Sequence, residues 1–213
     1  MNDFEKKYIR VSHYERSTRV LGPGNRFAVW FQGCEKNCLG CINPEGRNRS
    51  GGYEIEVEKL FKMIVATPNI QGVTISGGEP FLQFSGLKEL IYLIKAYTQL
   101  DIMVFSGYTY NDIRNKYADR KIQKFFSLID IFVDGEYVEA LNDNQMFRGS
   151  SNQNIYFFTK KYIKYKDQIL HAKNREIEFS IDDQSNVFMI GIPPKNFYEE
   201  FISDIAKVRD NDL

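Results

Sequence analysis

The sequence predicts an α/β protein that folds as a partial (β/α) barrel. Short apolar strand candidates alternate with helices of amphipathic spacing, which is the pattern of parallel β–α–β units. The chain has 213 residues, fewer than the roughly 250 of a complete eight-stranded barrel. Hydrophobic residues make up 43% of it, enough to bury a core. An incomplete barrel would leave a lateral opening that suits a large partner.

The predicted elements follow one another from residue 26 to residue 158. The first strand covers Arg26–Phe31, with Trp30 and Phe31 in the core and Phe31 near the loop that follows. The clearest helix is Phe84–Thr98, where apolar residues recur at i, i+3, i+4 and i+7. The other predicted elements are a helix over Val57–Ala66, a strand over Val73–Ile75, a strand over Ile102–Phe105, a helix over Asn111–Phe126 that breaks near Ala118-Asp119, and strands over Ile129–Val133 and Ile155–Phe158.

The last fifty residues have a different pattern. Two β-rich runs, Glu176–Ile181 and Val187–Ile190, flank a polar turn and predict a hairpin. Phe197–Val208 has the spacing of a closing amphipathic helix. We therefore expect a core over residues 1–160 and a C-terminal extension over 161–213, packed on the same domain. The basic and aromatic run KKYIKYK, residues 160–166, is expected to be solvated.

Composition excludes several classes of function. Acidic and basic residues number 28 each, so no net charge favours nucleic acid or a membrane surface. The N-terminus has no apolar segment of a secretory signal, and no apolar run has membrane-spanning length. We expect a cytoplasmic protein whose thiols stay reduced.

All three cysteines lie in the segment GCEKNCLGC, as Cys34, Cys38 and Cys41. Their odd number and the reducing compartment disfavour a disulfide framework. A zinc knuckle is an alternative, with C-x2-C spacing and His13 as a possible fourth ligand, although a second ligand cluster is missing from the sequence. An iron–sulfur cluster is the favoured interpretation. Three thiolates on a [4Fe–4S] cluster leave one iron open, which suits a catalytic cluster that binds its substrate.

A glycine turn follows the next strand, in the sequence GVTISGGEP. Gly77 and Gly78 lack Cβ atoms, so we expect their backbone to approach a ligand closely. Glu79 adds a carboxylate at the carboxyl end of that strand, where α/β folds bind their ligands. A Gly-Gly turn alone is weak evidence, but one that follows C-x3-C-x2-C by about one β–α unit is specific.

The cysteine triplet and the SGGEP turn together resemble the radical S-adenosylmethionine (SAM) superfamily. The resemblance implies a (β/α)6-type partial barrel and a [4Fe–4S] cluster held by Cys34, Cys38 and Cys41, whose open iron binds SAM. It places Gly77, Gly78 and Glu79 at the SAM amino group. It implies reductive cleavage of SAM to a 5′-deoxyadenosyl radical that abstracts a hydrogen atom.

A finer resemblance narrows the expected substrate. GPGNRFAVWFQGCEKNCLGCINPE is similar to the opening of glycyl-radical activating enzymes, above all the activators of anaerobic class III ribonucleotide reductase. FSGYTY, VDGEY and RGSSNQ match further stretches of that group, from about residue 20 to 160. By position, Ser106, Tyr108 and Asp134 are expected near SAM, and Arg148, Ser150, Asn152 and Gln153 near the site. Glu45-Gly46-Arg47 departs from the family's usual pair after Asn43-Pro44.

The resemblance implies an enzyme that generates a glycyl radical on a partner, with flavodoxin or ferredoxin as electron donor. A second possibility is a compact radical SAM enzyme that modifies a small molecule or a peptide. A third is a zinc-knuckle interaction protein without enzyme activity. Arg26 is expected to bind a carboxylate or a partner, and His13 and His171 to be surface residues. The tail has no cysteine, so we expect no auxiliary cluster.

Overall fold

A computed structural model describes residues 6–117, 120–182, 184–201 and 203 of the chain. Nine β-strands occur in this part. They are β1 Tyr8–Thr18, β2 Arg26–Phe31, β3 Tyr53–Glu56, β4 Gly72–Gly77, β5 Asp101–Ser106, β6 Ile131–Asp134, β7 Asn154–Phe157, β8 Ile177–Ile181 and β9 Val187–Gly191. The α-helices labelled here are α1 Val57–Val65, α2 Phe84–Tyr97, α3 Tyr110–Lys116, α4 Arg120–Phe126 and α5 Lys166–His171.

Seven of the strands form one sheet in the order β3-β1-β2-β4-β5-β6-β7. The four central strands β2, β4, β5 and β6 run parallel. The outer pairings of β1 with β2, β1 with β3 and β6 with β7 are antiparallel. The fold is therefore a mixed α/β structure with a mainly parallel centre, as the alternation of strands and helices predicted. A closed barrel is not seen in the part of the chain described here, and the six-unit barrel is not confirmed.

Alternate residues of the central strands point to opposite faces of the sheet, as the period of a strand requires. On β2, Phe27, Val29 and Phe31 pack in the main core against the buried faces of α1 and α2. Ala28 points to the other face and packs with Ile190 of β9. The helices thus cover one face, and the C-terminal hairpin covers part of the other.

The predicted elements between residues 26 and 158 are all present, with boundaries that differ by up to two residues except where a helix divides. The predicted helix over Asn111–Phe126 is two helices, α3 and α4, and the expected break at residues 118–119 lies outside the described residues. The strand predicted over Ile155–Phe158 is β7, but it pairs antiparallel and is not a further parallel unit. Strands β1 and β3 were not predicted.

The hairpin predicted in the tail is confirmed as the antiparallel pair β8 and β9. Residues 197–201 and 203 are helical, and the rest of the predicted helix lies outside the described residues. No described helix is long and apolar enough to cross a membrane.

Arg26 forms an ion pair and hydrogen bonds at the amino-terminal end of the parallel strands. Its guanidinium is completely buried and pairs with Asp101 at 2.5 Å. It also donates to the Thr74 hydroxyl at 2.7 Å and to the Pro23 carbonyl at 2.8 Å. The expected carboxylate partner is thus internal, because Asp101 begins strand β5, which lies two strands away from β2 in the same sheet. Arg26 does not face the cysteines, which follow the other end of β2.

Candidate iron–sulfur site

The cysteine loop starts where β2 ends, at the carboxyl edge of the parallel strands. The Gly33 amide donates to the Gly46 carbonyl at 2.8 Å, and the Cys34 amide donates to the Arg47 carbonyl at 3.1 Å. The Gln32 side-chain amide donates to the carbonyls of Glu45 and Asn48 at 2.9 and 2.6 Å. These bonds join the two ends of the loop, so the fold itself closes the segment that carries the thiols.

All three thiols are free and partly exposed. Burial raises the pKa of Cys34 and of Cys38, and the charge of a Cys41 thiolate adds to both shifts. Cys41 is therefore close enough to both other thiols to share one electrostatic environment with them. The Cys38 thiol also donates to a carboxylate oxygen of Glu136 at 3.7 Å.

The donor set fits an iron–sulfur cluster better than a single ion. A zinc ion holds its ligands within about 2.3 Å of one point, and no group of three His, Cys, Asp or Glu side chains among the described residues has such an arrangement. A [4Fe–4S] cluster distributes its thiolates over separate irons, as three free thiols on one closed loop could do. His13 cannot complete a zinc knuckle, because it stacks on Phe188 of β9 at 4.2 Å between ring centroids. It is therefore a packed residue and not a surface one, whereas His171 is exposed as expected.

The glycines of the SGGEP turn pack against the cysteine loop. A Cβ on Gly78 would lie 2.3 Å from the Gly33 carbonyl oxygen and 2.6 Å from that of Gly46. A Cβ on Gly77, whose φ is +124°, would lie 2.2 Å from the backbone nitrogen and oxygen of Phe31. The expected close backbone approach exists, but it joins the turn to β2 and the cysteine loop. These glycines position the loop, and their contact with a ligand stays a prediction.

Glu79 is completely buried beneath the loop. Its carboxylate accepts hydrogen bonds from the Gly107 amide at 2.7 Å, the Ser106 hydroxyl at 3.0 Å and the Phe81 amide at 3.0 Å. Burial raises its pKa to about 7, against the effect of these bonds and of the nearby Lys36 ammonium. The carboxylate is therefore a partly protonated group at neutral pH, held between two strand ends.

Ser106 and Tyr108 lie beside Glu79 and the loop. The Ser106 hydroxyl accepts from the Tyr108 amide at 3.1 Å in addition to bonding Glu79. The Tyr108 hydroxyl donates to the Glu35 carboxylate, and the Lys36 ammonium lies 5.0 Å from its ring centroid. The structure thus brings Cys34, Glu79, Ser106 and Tyr108 together at one side of the cysteine loop.

Asp134 is placed differently. It is completely buried, and its carboxylate accepts from the Tyr110 amide at 2.6 Å and from the Asn154 side-chain amide at 3.0 Å. These bonds fix the start of α3 and the pairing of β6 with β7. Its predicted contact with SAM stays a prediction, as does that of the equally buried Glu79.

The polar run from Arg148 to Gln153 supports the segment that follows Asp134. Its side chains bond the protein's own backbone and one aspartate. The bonds are those of Arg148 with Asp143 and the Gln153 carbonyl, Ser150 with the Val138 amide, Asn152 with the Glu136 carbonyl, and Gln153 with the Gly135 carbonyl. Gln153 also lines a cavity beside the cysteines. The other three support the segment that carries Glu136, and the expected role of all four near the site stays a prediction.

Glu136 and Lys36 were not singled out from the sequence. The Glu136 carboxylate contacts Cys38 and lies 3.6 Å from the Lys36 ammonium. Lys36 lies within the cysteine segment, but Glu136 is about a hundred residues away, in the VDGEY motif. The motif resemblance was the only signal that could have indicated it.

A cavity of about 890 Å³ opens beside the cysteines. Cys38 and Cys41 line one side of it, and Ser76 and Phe105 line it at the ends of β4 and β5. Trp30 contributes a further wall, so this tryptophan is not only a core residue. The volume falls within the range of about 300–1,000 Å³ typical of ligand sites. The arrangement can hold a ligand next to two of the three thiols.

Comparison with known proteins agrees with this geometry. Residues 20–156 match the family described as "4Fe-4S single cluster domain". The anaerobic ribonucleoside-triphosphate reductase-activating protein of Vibrio cholerae is 30% identical over 66% of this chain and 92% of its own length. The corresponding protein of phage T4 is 28% identical over 64% of this chain and 86% of its own. The pyruvate formate-lyase 1-activating enzyme of Escherichia coli K12 is 28% identical over 96% of this chain and 79% of its own.

The matched region contains all three cysteines, the SGGEP turn and the strands β2, β4, β5 and β6 that position them. The family match supports an iron–sulfur cluster on this chain. The chain therefore belongs to the 4Fe-4S single cluster domain family, and it is a radical SAM enzyme of the activating-enzyme type that its sequence resembles.

Proposed function

We propose that this protein cleaves SAM reductively and generates a glycyl radical on a partner enzyme, an anaerobic ribonucleotide reductase. The observation that carries the proposal is the closed loop of three free thiols beside a large cavity, in a chain of the activating-enzyme family. No general base or nucleophile is required for such chemistry.

Cys34, Cys38 and Cys41 would hold the cluster, and the glycine turn would hold their loop in place. When bound, the cluster and SAM supply the electron transfer and the 5′-deoxyadenosyl radical that removes a hydrogen atom from glycine. The protein supplies binding, orientation and exclusion of water. Trp30 and Phe105, which line the cavity, would keep water from the reacting atoms.

Glu79, Ser106 and Tyr108 form the proposed site for the SAM amino group. A cationic amino group beside Glu79 would favour its ionised form, because an opposite charge lowers the pKa of a carboxyl. The Ser106 hydroxyl and the Gly107 amide then hold the carboxylate in a single orientation. Gly77 and Gly78 act by positioning, through their contacts with β2 and the cysteine loop.

The open side of the sheet suits this function. We take the seven-stranded sheet to be a partial barrel of radical SAM type, in which residues 1–160 form the core and the tail packs as an extension. Flavodoxin or ferredoxin would supply the electron. The cytoplasm is the proposed compartment, because thiols that bind iron must stay reduced.

A second candidate partner is a pyruvate formate-lyase. The specific observation is that the activating enzyme of Escherichia coli aligns with 96% of this chain, including the tail. The reductase activators of Vibrio cholerae and phage T4 align with only 66% and 64% of it. One preparation of this protein can be tested on both partners.

The test uses the full chain, reconstituted anaerobically with iron and sulfide and reduced with dithionite. We expect an EPR signal of a reduced [4Fe–4S] cluster that SAM perturbs, and release of 5′-deoxyadenosine. Addition of full-length anaerobic ribonucleotide reductase from the same organism should then give a glycyl-radical doublet.

Cys38→Ser should abolish the perturbed signal and 5′-deoxyadenosine release. The matched control is Ser50→Ala, an exposed position just beyond the cysteine loop, which should retain both. If the protein cleaves SAM and gives a radical on pyruvate formate-lyase but not on the reductase, pyruvate formate-lyase is the partner. A protein that binds zinc and leaves SAM intact would refute the proposal.

A further inference from the structure

The tail contributes a wall to the cavity beside the cysteines. The segment from Gly191 to Glu199 lines this cavity opposite Cys38 and Cys41. It includes the consecutive prolines Pro193 and Pro194 and the side chains of Phe197 and Tyr198. This segment, called here the tail wall, lies beyond residue 156, where the family match ends. The shared family core does not specify this part of the cavity.

Arg175 fixes the tail wall to the core. Its guanidinium donates to the Pro193 carbonyl at 2.8 Å, to the Arg148 carbonyl at 2.6 Å and to the Gln145 carbonyl at 3.1 Å. One planar side chain therefore joins the tail wall to the loop that contains Gln145 and Arg148, through fixed donor directions. A second bond, from the Lys195 amide to the Asn144 side-chain oxygen at 2.7 Å, joins the wall to the same loop.

The mouth of the cavity carries exposed apolar side chains. Leu39, between the second and third cysteines, is 80% exposed, and Tyr198 on the tail wall is 50% exposed. Ile42 and Val138 are also exposed lining residues. A cofactor inside the cavity would leave these outward surfaces in water. Exposed apolar side chains gathered around one cavity are typical of a surface that binds another protein. These four residues are called the rim.

The predicted SAM residues lie apart from the tail wall. Glu79 and Tyr108 meet the cysteine loop at Cys34, Glu35 and Lys36. None of these five residues lines the cavity, whereas Tyr198 does. The wall is therefore placed to select what enters the cavity, and not to hold the SAM amino group.

From these contacts we infer that the tail wall determines which partner this enzyme accepts. The segment of the partner that enters the cavity is extended and carries the target glycine. Its residues next to the glycine are apolar, and it lies between Tyr198 and Leu39. Arg175 is a positioning residue, because it acts through the wall. The inference rests on the proposed function, and it adds that the tail, outside the family core, carries partner specificity.

The experiment compares two exposed tyrosines of the tail. Tyr198→Ala removes a ring from the wall, and Tyr165→Ala removes a similarly exposed ring that does not line the cavity. For each variant we would measure glycyl-radical yield against the concentration of full-length anaerobic ribonucleotide reductase. Release of 5′-deoxyadenosine without partner would be measured against the concentration of SAM.

Tyr198→Ala should raise the half-saturating partner concentration by about tenfold, as removal of an interface aromatic does. SAM cleavage by Tyr198→Ala without partner should change by less than about twofold. Tyr165→Ala should change by less than about twofold in both assays. Arg175→Lys keeps the charge but loses the fork of donors, so it should shift partner dependence in the same direction.

Two results would overturn the inference. One is a Tyr198→Ala enzyme with wild-type partner dependence, and the other is a shift in SAM dependence alone, which would make the wall a cofactor contact. Failure of the proposed function looks different: wild-type protein would then cleave no SAM, or would cleave SAM and leave both partners without a radical.

Discussion

Replacement of Gly78 by alanine tests whether the glycine turn positions the cysteine loop. The new Cβ would lie 2.3 Å from the Gly33 carbonyl oxygen, whereas ordinary contact starts at 3.4 Å. Either the turn or the loop must therefore move by about 1 Å. All three nearest atoms belong to backbone, so no flexible side chain can relieve the overlap. The backbone angle of Gly78 is not in the left-handed region, which makes space the deciding factor.

Such a shift strains three hydrogen bonds of 2.7–2.8 Å. They are donated by the amides of Gly78, Glu79 and Gly33 to the carbonyls of Phe31, Gly33 and Gly46. Overpacking costs about 1–3 kcal/mol and the loss of one such bond about 0.5–1.5 kcal/mol. If the shift breaks one of the three bonds, we expect a loss of about 2–4 kcal/mol in the free energy of unfolding. The displaced loop should also bind less iron.

Urea denaturation of the metal-free protein and iron content after reconstitution measure the two effects. Gly107→Ala is the matched control, since its Cβ would meet the Lys36 side chain at 3.2 Å, and that side chain can move. We expect the control to lose less than about 1 kcal/mol. A Gly78→Ala protein with unchanged stability and full iron content would show that the turn does not position the loop.

Three further substitutions probe other parts of the fold. Glu79→Gln should remove a pH dependence of the free energy of unfolding. Burial raises the pKa of Glu79 from 4.5 to about 7, so the wild-type protein loses stability as the pH rises from 4.5 to 7 and the buried carboxyl ionises. Urea denaturation of both proteins without SAM measures this effect. Between these pH values the free energy of unfolding of the variant should rise by about 3 kcal/mol relative to that of the wild type. A difference between the two proteins that does not change with pH would contradict the raised pKa of Glu79. Arg26→Met should cost about 3 kcal/mol, because the buried Asp101 loses its partner at Oδ1 and keeps only Lys161 and Tyr162, both at Oδ2. The iron content per folded chain of this variant should stay unchanged. A lower iron content would show that the amino-terminal end of the sheet affects the cysteine site. Glu136→Gln should lower the pKa of Cys38, where this carboxylate adds to the effect of burial. The pKa of Cys38 would be measured from its alkylation rate against pH, in a chain whose other two cysteines are replaced by serine. An unchanged profile in Glu136→Gln would refute the contact between Glu136 and Cys38.

Local patterns predicted the core of the fold because each pattern reports on burial. The helix α2 was readable from its apolar spacing, and Leu87, Leu90, Ile91 and Ile94 are indeed buried. Strand β2 was predicted with its observed bounds, since all but Trp30 of its residues are buried. The cysteine triplet and the SGGEP turn predicted which strand ends would meet, because parallel strands bring their carboxyl ends to one edge.

Strands β1 and β3 could not be predicted in the same way. β1 contains Arg10, His13, Glu15 and Arg16 among its apolar residues, so its composition does not suggest a strand. Its conformation depends on pairing with β2 on one side and β3 on the other. Such pairing joins residues that are distant in sequence, and a window of the sequence contains no information on it.

The roles of single polar residues were also beyond local patterns. Asp134 and Glu79 both end strands, and both were expected to bind SAM. Both are buried and accept from backbone amides, Asp134 from those of α3 and β7 and Glu79 from those of Phe81 and Gly107. They differ in their surroundings, because Glu79 lies next to the cysteine loop and burial raises its pKa. A sequence window does not contain such surroundings, which set the charge state of a buried carboxyl.

The tail shows why family membership and partner choice are carried by different parts of the chain. The cysteine loop and the glycine turn depend on backbone contacts within the family core, where a single added methyl group would displace the thiols. The tail wall is joined to that core by the Arg175 guanidinium, which recognises backbone carbonyls, and by the backbone amide of Lys195, which bonds Asn144. Every sequence provides backbone carbonyls and, except at proline, backbone amides. Residues on the wall can therefore change without loss of the cluster site. If partner selection lies there, as Tyr198 and its exposed neighbours indicate, related enzymes could keep one radical chemistry and acquire different partners by changing only the tail.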